Sequence, residues 1–136
     1  MNISEQLPSR FDAVPPFIAT VVKRLQTEFP LSEQDIFDIK LVLEESLTNA
    51  IKHGNQLKTH LSVDVSVMTE QNCLIMTVKD QGSGFDVNCV PDPTAQDKLM
   101  RTSGRGVFLI KKLMDEVRYA NYGRELTMVK RFKANF

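Results

Sequence analysis

The sequence lacks an excess of charge of either sign, because 17 lysines and arginines balance 17 aspartates and glutamates. Without a basic excess, nothing in the composition indicates binding to nucleic acid or to an anionic membrane. No apolar run approaches the ~20 residues that a transmembrane helix needs. The first residues contain neither a basic start nor the apolar core of a signal peptide. We therefore expect a cytoplasmic protein with no membrane partner.

Cysteine is scarce, and the common nucleotide-binding loops are missing. The two cysteines, Cys73 and Cys89, lack the spacing of a metal site, so we expect reduced thiols. The absence of Gly-x-x-x-x-Gly-Lys-Ser/Thr excludes a Walker-type loop. The absence of Gly-x-Gly-x-x-Gly after an early strand excludes the dinucleotide fingerprint. What is present, 136 residues of which 42% are hydrophobic, suffices for one domain over residues 1–136.

The hydrophobic pattern predicts an α+β protein. Apolar residues recur at helical spacing from Pro15 to Phe29, from the cap Ser32 to about Lys52, and from Val107 to Met114. Strand-like runs occupy residues 2–8, 61–67, 74–78, 115–121 and 125–133. This order predicts a two-layer sandwich in which a mixed, mostly antiparallel sheet is covered on one face by three helices. Residues 86–103 read as a long loop, of the kind that is usually functional or mobile.

The most informative run begins where the apolar stretch Leu74–Val78 ends. Asp80 follows this predicted strand, and Gly82 and Gly84 stand at alternate positions after it. Such a strand end delivers one fixed hydrogen-bond acceptor, and the glycines let the next backbone approach a bound group closely. Asp80 would suit the amino edge of a purine. The same pattern also fits an ordinary turn after a strand.

A polar stripe on the second helix offers partners for Asp80. Glu45, Asn49, Lys52 and His53 fall opposite the apolar face of this helix. Glu45 and Asn49 are one turn apart, so their side chains can converge on a magnesium ion and a hydroxyl. A solvated helix face fits the stripe as well. His53 also fits a helix-end histidine that the helix dipole favours.

A second glycine pair, Gly104-Arg105-Gly106, stands between the long loop and the third helix. Free backbone N–H groups at a helix start bind phosphate, and Lys98 and Arg101 add positive charge nearby. A flexible loop with solvated basic residues would read the same way.

Taken together, these segments resemble the three ATP-binding boxes of the GHKL superfamily, which includes gyrase, sensor histidine kinases and the MutL mismatch-repair proteins. The boxes are Glu45–Gly54, Asp80–Phe85 and Gly104–Ile110, and they occur in the superfamily's order. The resemblance covers about residues 2–134 and includes Gly123 and the strand Leu126–Lys130. Within the superfamily the chain looks most like the anti-sigma factor serine/threonine kinases. This implies a Bergerat-type ATP-binding fold with a lid at about 86–103.

The resemblance also implies a role for each box. Asn49 would ligate the Mg²⁺ that bridges the ATP phosphates, and Glu45 would be the general base. Asp80 would accept a hydrogen bond from the adenine amino group. Lys98, Arg101 and Arg105 all stay open as the contact to the γ-phosphate. The implied ATP contacts are Asn49, Lys52, His53, Asp80, Gly82, Gly84, Phe85, Arg101, Gly104, Arg105, Gly106, Val107 and Thr127.

The activity implied is that of an ATP- and Mg²⁺-dependent protein serine/threonine kinase. Such a protein would bind a sigma factor, phosphorylate an anti-sigma antagonist and regulate transcription without touching nucleic acid. The resemblance further implies a homodimer, for which the first helix and first strand are the natural surface. The alternative is a nucleotide-gated, partner-binding regulator with little or no kinase activity. A sensor histidine kinase domain is disfavoured because His53 lies in the ATP-site helix and no phosphoaccepting histidine precedes it.

Overall fold

The computed structural model describes residues 1–83 and 105–132, and the predicted lid lies outside these ranges. Residues 1–61 contain one strand, two helices and a π-helical turn, and the described residues from 62 onward contain four strands and one helix. In chain order the elements are β1 (Asn2–Pro8), a short 3₁₀ turn (Phe11–Ala13), α1 (Val14–Glu28), α2 (Glu33–Asn49), the π-helical turn (Ala50–Gly54), β2 (Ser62–Glu70), β3 (Cys73–Lys79), α3 (Arg105–Leu113), β4 (Glu116–Ala120) and β5 (Glu125–Arg131).

The five strands form one sheet in the order β1-β2-β3-β5-β4. Every pairing among the described strands is antiparallel, with Val65 opposite Val78 and Thr77 opposite Thr127. β1 lies at one edge of the sheet. Because β5 pairs with β3, the residues after β3 lie beside the turn that leads into β5.

The ends of the helices follow local signals in the sequence. Prolines in the first turn of α1 are tolerated because their missing N–H groups would have no partner there. The predicted cap of α2 is confirmed as a capping box, since Asp35 N–H donates to Ser32 Oγ at 3.0 Å and Ser32 N–H donates to Asp35 Oδ2 at 3.1 Å. No helix in the described ranges is long and apolar enough to cross a membrane.

One hydrophobic core lies between the sheet and the helices. Alternate residues of the central strands point into it, and α2 packs against both α1 and α3. The fully buried members of this core include Val21, Leu25, Ile39, Leu43, Leu47, Ile51, Val63, Leu74, Met76, Ile110 and Met128. The α+β prediction is therefore confirmed, with helices on one face of an antiparallel sheet.

A tight turn between β4 and β5 has an unusual backbone. Asn121, Tyr122 and Gly123 have φ angles of 54°, 57° and 82° in succession. Such left-handed conformations suit asparagine and glycine but strain tyrosine, and Tyr122 is 76% exposed here. The turn delivers Arg124 to the end of β3.

Candidate nucleotide-binding site

Asp80 stands one residue after β3, and its backbone and side chain are both fixed. Its N–H donates to the carbonyl oxygen of Arg124 at 2.9 Å, which extends the pairing of β3 with β5 by one residue. Its Oδ1 accepts a hydrogen bond from Gly82 N–H at 2.9 Å. The second carboxylate oxygen lies against Gly54, at the end of the π-helical turn. The structure therefore places the carboxylate between the strand end and the helix end.

The glycines on the two sides of this junction are required by space. A Cβ atom added to Gly54 would lie 2.4 Å from Cγ of Asp80, and one added to Gly82 would lie 1.8 Å from the carbonyl oxygen of Gly54. Cβ atoms essentially never approach heavy atoms below 3.0 Å. Gly82 is predicted from the sequence to let the backbone approach a bound group, and in the structure the group that it approaches is the protein's own helix end at Gly54.

The electrostatics of Asp80 are those of a partly buried acid. Burial raises the pKa of the Asp80 carboxyl, while the Gly82 hydrogen bond and the positive charge of Arg124 offset part of the rise. The Arg124 guanidinium is held in place because its Nε donates to the carbonyl oxygen of Asn121 at 2.9 Å and its Nη1 to that of Gly82 at 3.4 Å. It also lies 6.0 Å from the centroid of the Tyr122 ring. A hydrogen-bond donor that meets Asp80 would relieve the cost of its burial.

The polar stripe of α2 keeps the orientation that its spacing predicts. Glu45, Asn49 and His53 are half-buried and Lys52 is exposed, whereas Leu47 and Ile51 on the other face are completely buried. Glu45 and Asn49 lie one turn apart in regular α-helix, and the stripe continues into the π-helical turn. In that turn Asn55 N–H donates to the carbonyl oxygen of Ala50 at 2.7 Å. π-Helical turns of this kind are rare and occur frequently at functional sites.

The second glycine box is only partly within the described residues. The backbone of α3 begins at Arg105, continues through Gly106 and Val107, and packs on α2. The remaining predicted contacts, Gly84, Phe85, Arg101 and Gly104, lie outside the described residues, as does Lys98.

The structure does not bring Thr127 to the residues around Asp80 and the polar stripe of α2. It lies in the middle of β5 and pairs with Thr77 and Arg118, whereas its neighbours Leu126 and Met128 point into the core beneath the helices. Because side chains alternate along a strand, Thr127 faces the side of the sheet opposite the helices.

Two residues at the junction were missed by the sequence reasoning. Arg124 directly follows Gly123 and carries a positive charge that lowers the Asp80 pKa. Asn55 follows Gly54, where it reads as a simple helix stop, yet its side chain is completely buried. An asparagine after a helix-ending glycine gives no local signal of burial.

A metal site made wholly of protein side chains is absent from the described part of the chain. No three His, Cys, Asp or Glu residues within 1–83 and 105–132 are grouped so that they could hold an ion. Asn49 could supply one oxygen to Mg²⁺, which commonly keeps waters and substrate phosphates as its other ligands.

Comparison with known proteins adds an independent finding. Residues 7–130 match the family model described as the histidine kinase-like ATPase domain. The chain is 31% identical over 106 residues to the serine-protein kinase RsbW of Listeria monocytogenes serotype 4a (strain HCC23), which covers 73% of this chain and 68% of that protein. It is 32% identical over 108 residues to RsbW of Staphylococcus aureus (strain MRSA252), a match that covers 73% of this chain and 67% of that protein. For RsbW of Staphylococcus epidermidis the identity is 29% over 110 residues, covering 75% and 69%. With its antiparallel sheet, three helices and these matches, the chain belongs to the histidine kinase-like ATPase domain family.

Proposed function

We propose that this protein binds ATP and transfers its γ-phosphate to a serine or threonine of a protein substrate. The observation that carries the proposal is the junction of Asp80 with Gly54 and Gly82, where a fixed carboxylate meets the end of the helix that bears Glu45 and Asn49. The relatives named serine-protein kinases support the reaction type.

The residues at this junction fit an adenine nucleotide. A Cβ on either glycine would collide with the protein's own atoms, so the Asp80 carboxylate can stand beside the helix end only because side chains are absent there. Asp80 retains a carboxylate oxygen that no described donor contacts within hydrogen-bonding geometry. Aimed at a base, that oxygen accepts a hydrogen bond from an exocyclic amino group, which adenine carries and hypoxanthine lacks. We therefore assign Asp80 to the recognition of adenine.

Catalysis would depend on the stripe of α2. Asn49 would contribute its amide oxygen to Mg²⁺, an ion that neutralises phosphate charge when bound. Glu45, one turn earlier, would orient the substrate hydroxyl and accept its proton. In a loose transition state the proton leaves late, so the position of the Glu45 carboxylate matters more than its basicity. Lys52 and His53, further along the stripe, complete the contacts proposed for this helix.

The phosphates would meet the start of α3. Backbone N–H groups at the beginning of a helix have no partners within the helix and bind anions. Gly104 and Gly106 would let the preceding segment move as a lid, and one of Lys98, Arg101 and Arg105 would contact the γ-phosphate. In this arrangement residues 1–136 act as one ATP-binding domain.

The partners proposed follow from the resemblance to the anti-sigma factor kinases. The protein would bind a sigma factor and phosphorylate a small antagonist of that binding, in the cytoplasm and as a homodimer. The zero net charge of the chain supports protein partners over nucleic acid or membrane.

The experiment pairs two neighbouring glutamates of α2. Wild type, Glu45→Ala and Glu44→Ala are incubated with radiolabelled ATP, Mg²⁺ and the product of a neighbouring antagonist gene. Glu44 is exposed and adjacent to Glu45, so its variant controls for the loss of a helix charge. We expect Glu45→Ala to abolish transfer and keep ATP affinity within about threefold, while Glu44→Ala transfers normally. ATP binding without any transfer by the wild type would instead support the nucleotide-gated regulator.

A further inference from the structure

Asn55 is the only completely buried polar side chain among the described residues whose amide joins separate segments of the chain. Its Nδ2 donates to Ser9 Oγ and to the carbonyl oxygen of Ser62, each at 3.0 Å. Its Oδ1 accepts a hydrogen bond from Gln81 N–H at 2.7 Å. Both polar atoms of the amide are therefore used, as burial requires.

The two atoms of this amide serve different parts of the fold. The Nδ2 contacts join the residue after β1 to the start of β2, where Ser9 Oγ also donates to the carbonyl oxygen of Leu61 at 2.7 Å. The Oδ1 contact holds the loop after β3, because Gln81 lies between Asp80 and Gly82. The side chain of Gln81 returns to the same region, since its Oε1 accepts a hydrogen bond from Ser62 N–H at 2.7 Å.

Three successive backbone N–H groups of this loop are anchored to three different acceptors. Asp80 N–H donates to the carbonyl oxygen of Arg124, just before β5. Gln81 N–H donates to Asn55, and Gly82 N–H donates to the Asp80 carboxylate. Only the middle bond joins the loop to the segment that ends α2. Together with the direct contact between Gly82 and Gly54, it fixes the separation between the loop and Gly54, which contacts the Asp80 carboxylate.

We propose that Asn55 is a positioning residue for base selection: through Gln81 it holds the Asp80 carboxylate at the place where the amino group of adenine is read. The inference rests on the proposed function, since it assigns to Asn55 the orientation of the residue that contacts the base. Asn55 itself touches no nucleotide. Its effect is on the preference for adenine and not on the affinity for phosphates.

The test compares ATP with purine riboside triphosphate, which lacks only the 6-amino group. Affinities for both are measured by calorimetry for the wild type, Asp80→Asn, Asn55→Ala, Ser9→Ala and the double variant Asn55→Ala/Asp80→Asn. The readout is the ratio of the two affinities, which a general loss of stability does not change. Because a hydrogen bond to a charged group is at stake, we expect a wild-type ratio of about tenfold or more.

Asn55→Ala should lose most of this ratio and bind purine riboside triphosphate within about threefold of the wild type. Ser9→Ala removes one acceptor of Nδ2 and leaves the Gln81 bond intact, so it should melt earlier and keep the ratio. The double variant should discriminate no worse than Asp80→Asn alone, because both changes remove the same contact. If Asn55→Ala kept the wild-type ratio of the two affinities, the inference would be overturned. If Asp80→Asn and Asn55→Ala both kept the wild-type ratio, the assignment of Asp80 to adenine would itself be overturned.

A second measurement uses the unchanged protein, so it does not depend on the folding of a variant. Amide hydrogen exchange is followed for Gln81 and for Ser83, two residues further along the loop, with and without ATP. We expect the Gln81 N–H to be protected and its protection to rise with ATP, well beyond that of Ser83. Equal and fast exchange of the two amides in the nucleotide complex would contradict the proposed role of Asn55.

Discussion

The closest backbone approach at the site makes Gly82→Ala the most informative single substitution. The new Cβ would lie 1.8 Å from the carbonyl oxygen of Gly54, and neither partner is a flexible side chain. Restoring the minimum contact of 3.0 Å requires the loop and the helix end to separate by more than about 1 Å. The bond from Gln81 N–H to Asn55 Oδ1, now 2.7 Å long, would then exceed hydrogen-bonding distance. A buried acceptor left without its donor costs about 1–3 kcal/mol, and strain in the loop adds to this. We expect a total loss of about 2–4 kcal/mol in the free energy of unfolding.

The assay combines urea unfolding with calorimetric titration of ATP. Besides the loss of stability, we expect ATP affinity to fall by about tenfold or more, because the Asp80 carboxylate moves with the loop. Ser83→Ala, at the exposed neighbouring position, is the matched control and should change the unfolding free energy by less than about 0.5 kcal/mol. If Gly82→Ala were as stable as the wild type and bound ATP equally well, the close approach of Gly54 and Gly82 would be refuted.

Three further substitutions test separate parts of the site. Asp80→Asn should weaken ATP binding yet raise the melting temperature at pH 7. A carboxyl whose pKa is raised by burial stabilises the fold when it is protonated, and this stability is lost as the pH rises through that pKa. Melting curves should therefore converge below about pH 4, and a difference independent of pH would contradict this account. Asn49→Ala should lose about tenfold in ATP affinity with Mg²⁺ present and nothing in EDTA; an equal loss in both titrations would remove Asn49 as the metal ligand. Thr127→Val, on the opposite face of the sheet, should bind ATP within about twofold of the wild type by calorimetry, and a larger loss would mean that Thr127 reaches the nucleotide.

The elements that could be predicted from sequence are those with local causes. The capping box of Ser32 and Asp35 depends on residues three apart, and the strand patterns depend on alternation within a few residues. The position of Asp80 at the end of β3 follows in the same way. The burial of Glu45 and Asn49 relative to Leu47 also agrees with the helical period.

The features that could not be predicted depend on residues distant in sequence. Asn55 bonds to Ser9, which is 46 residues away, and to Gln81, which is 26 residues away. Arg124 acts on Asp80 only because β5 pairs with β3. Neither contact has a pattern within a short window, so a single sequence contains no periodic signal for them.

The π-helical turn has a consequence for insertions and deletions. In an α-helix each residue advances about 100° around the axis. The wider turn at Ala50–Gly54 therefore sets the angle between the Asn49 side of the helix and the end that carries Gly54 and Asn55. Removing one residue from this segment would rotate the two ends against each other by about that angle, even if every side chain named at the site were kept. The number of residues between Asn49 and Asn55 is thus as strict a requirement as their identity, and alignments with gaps in this segment would describe a different site.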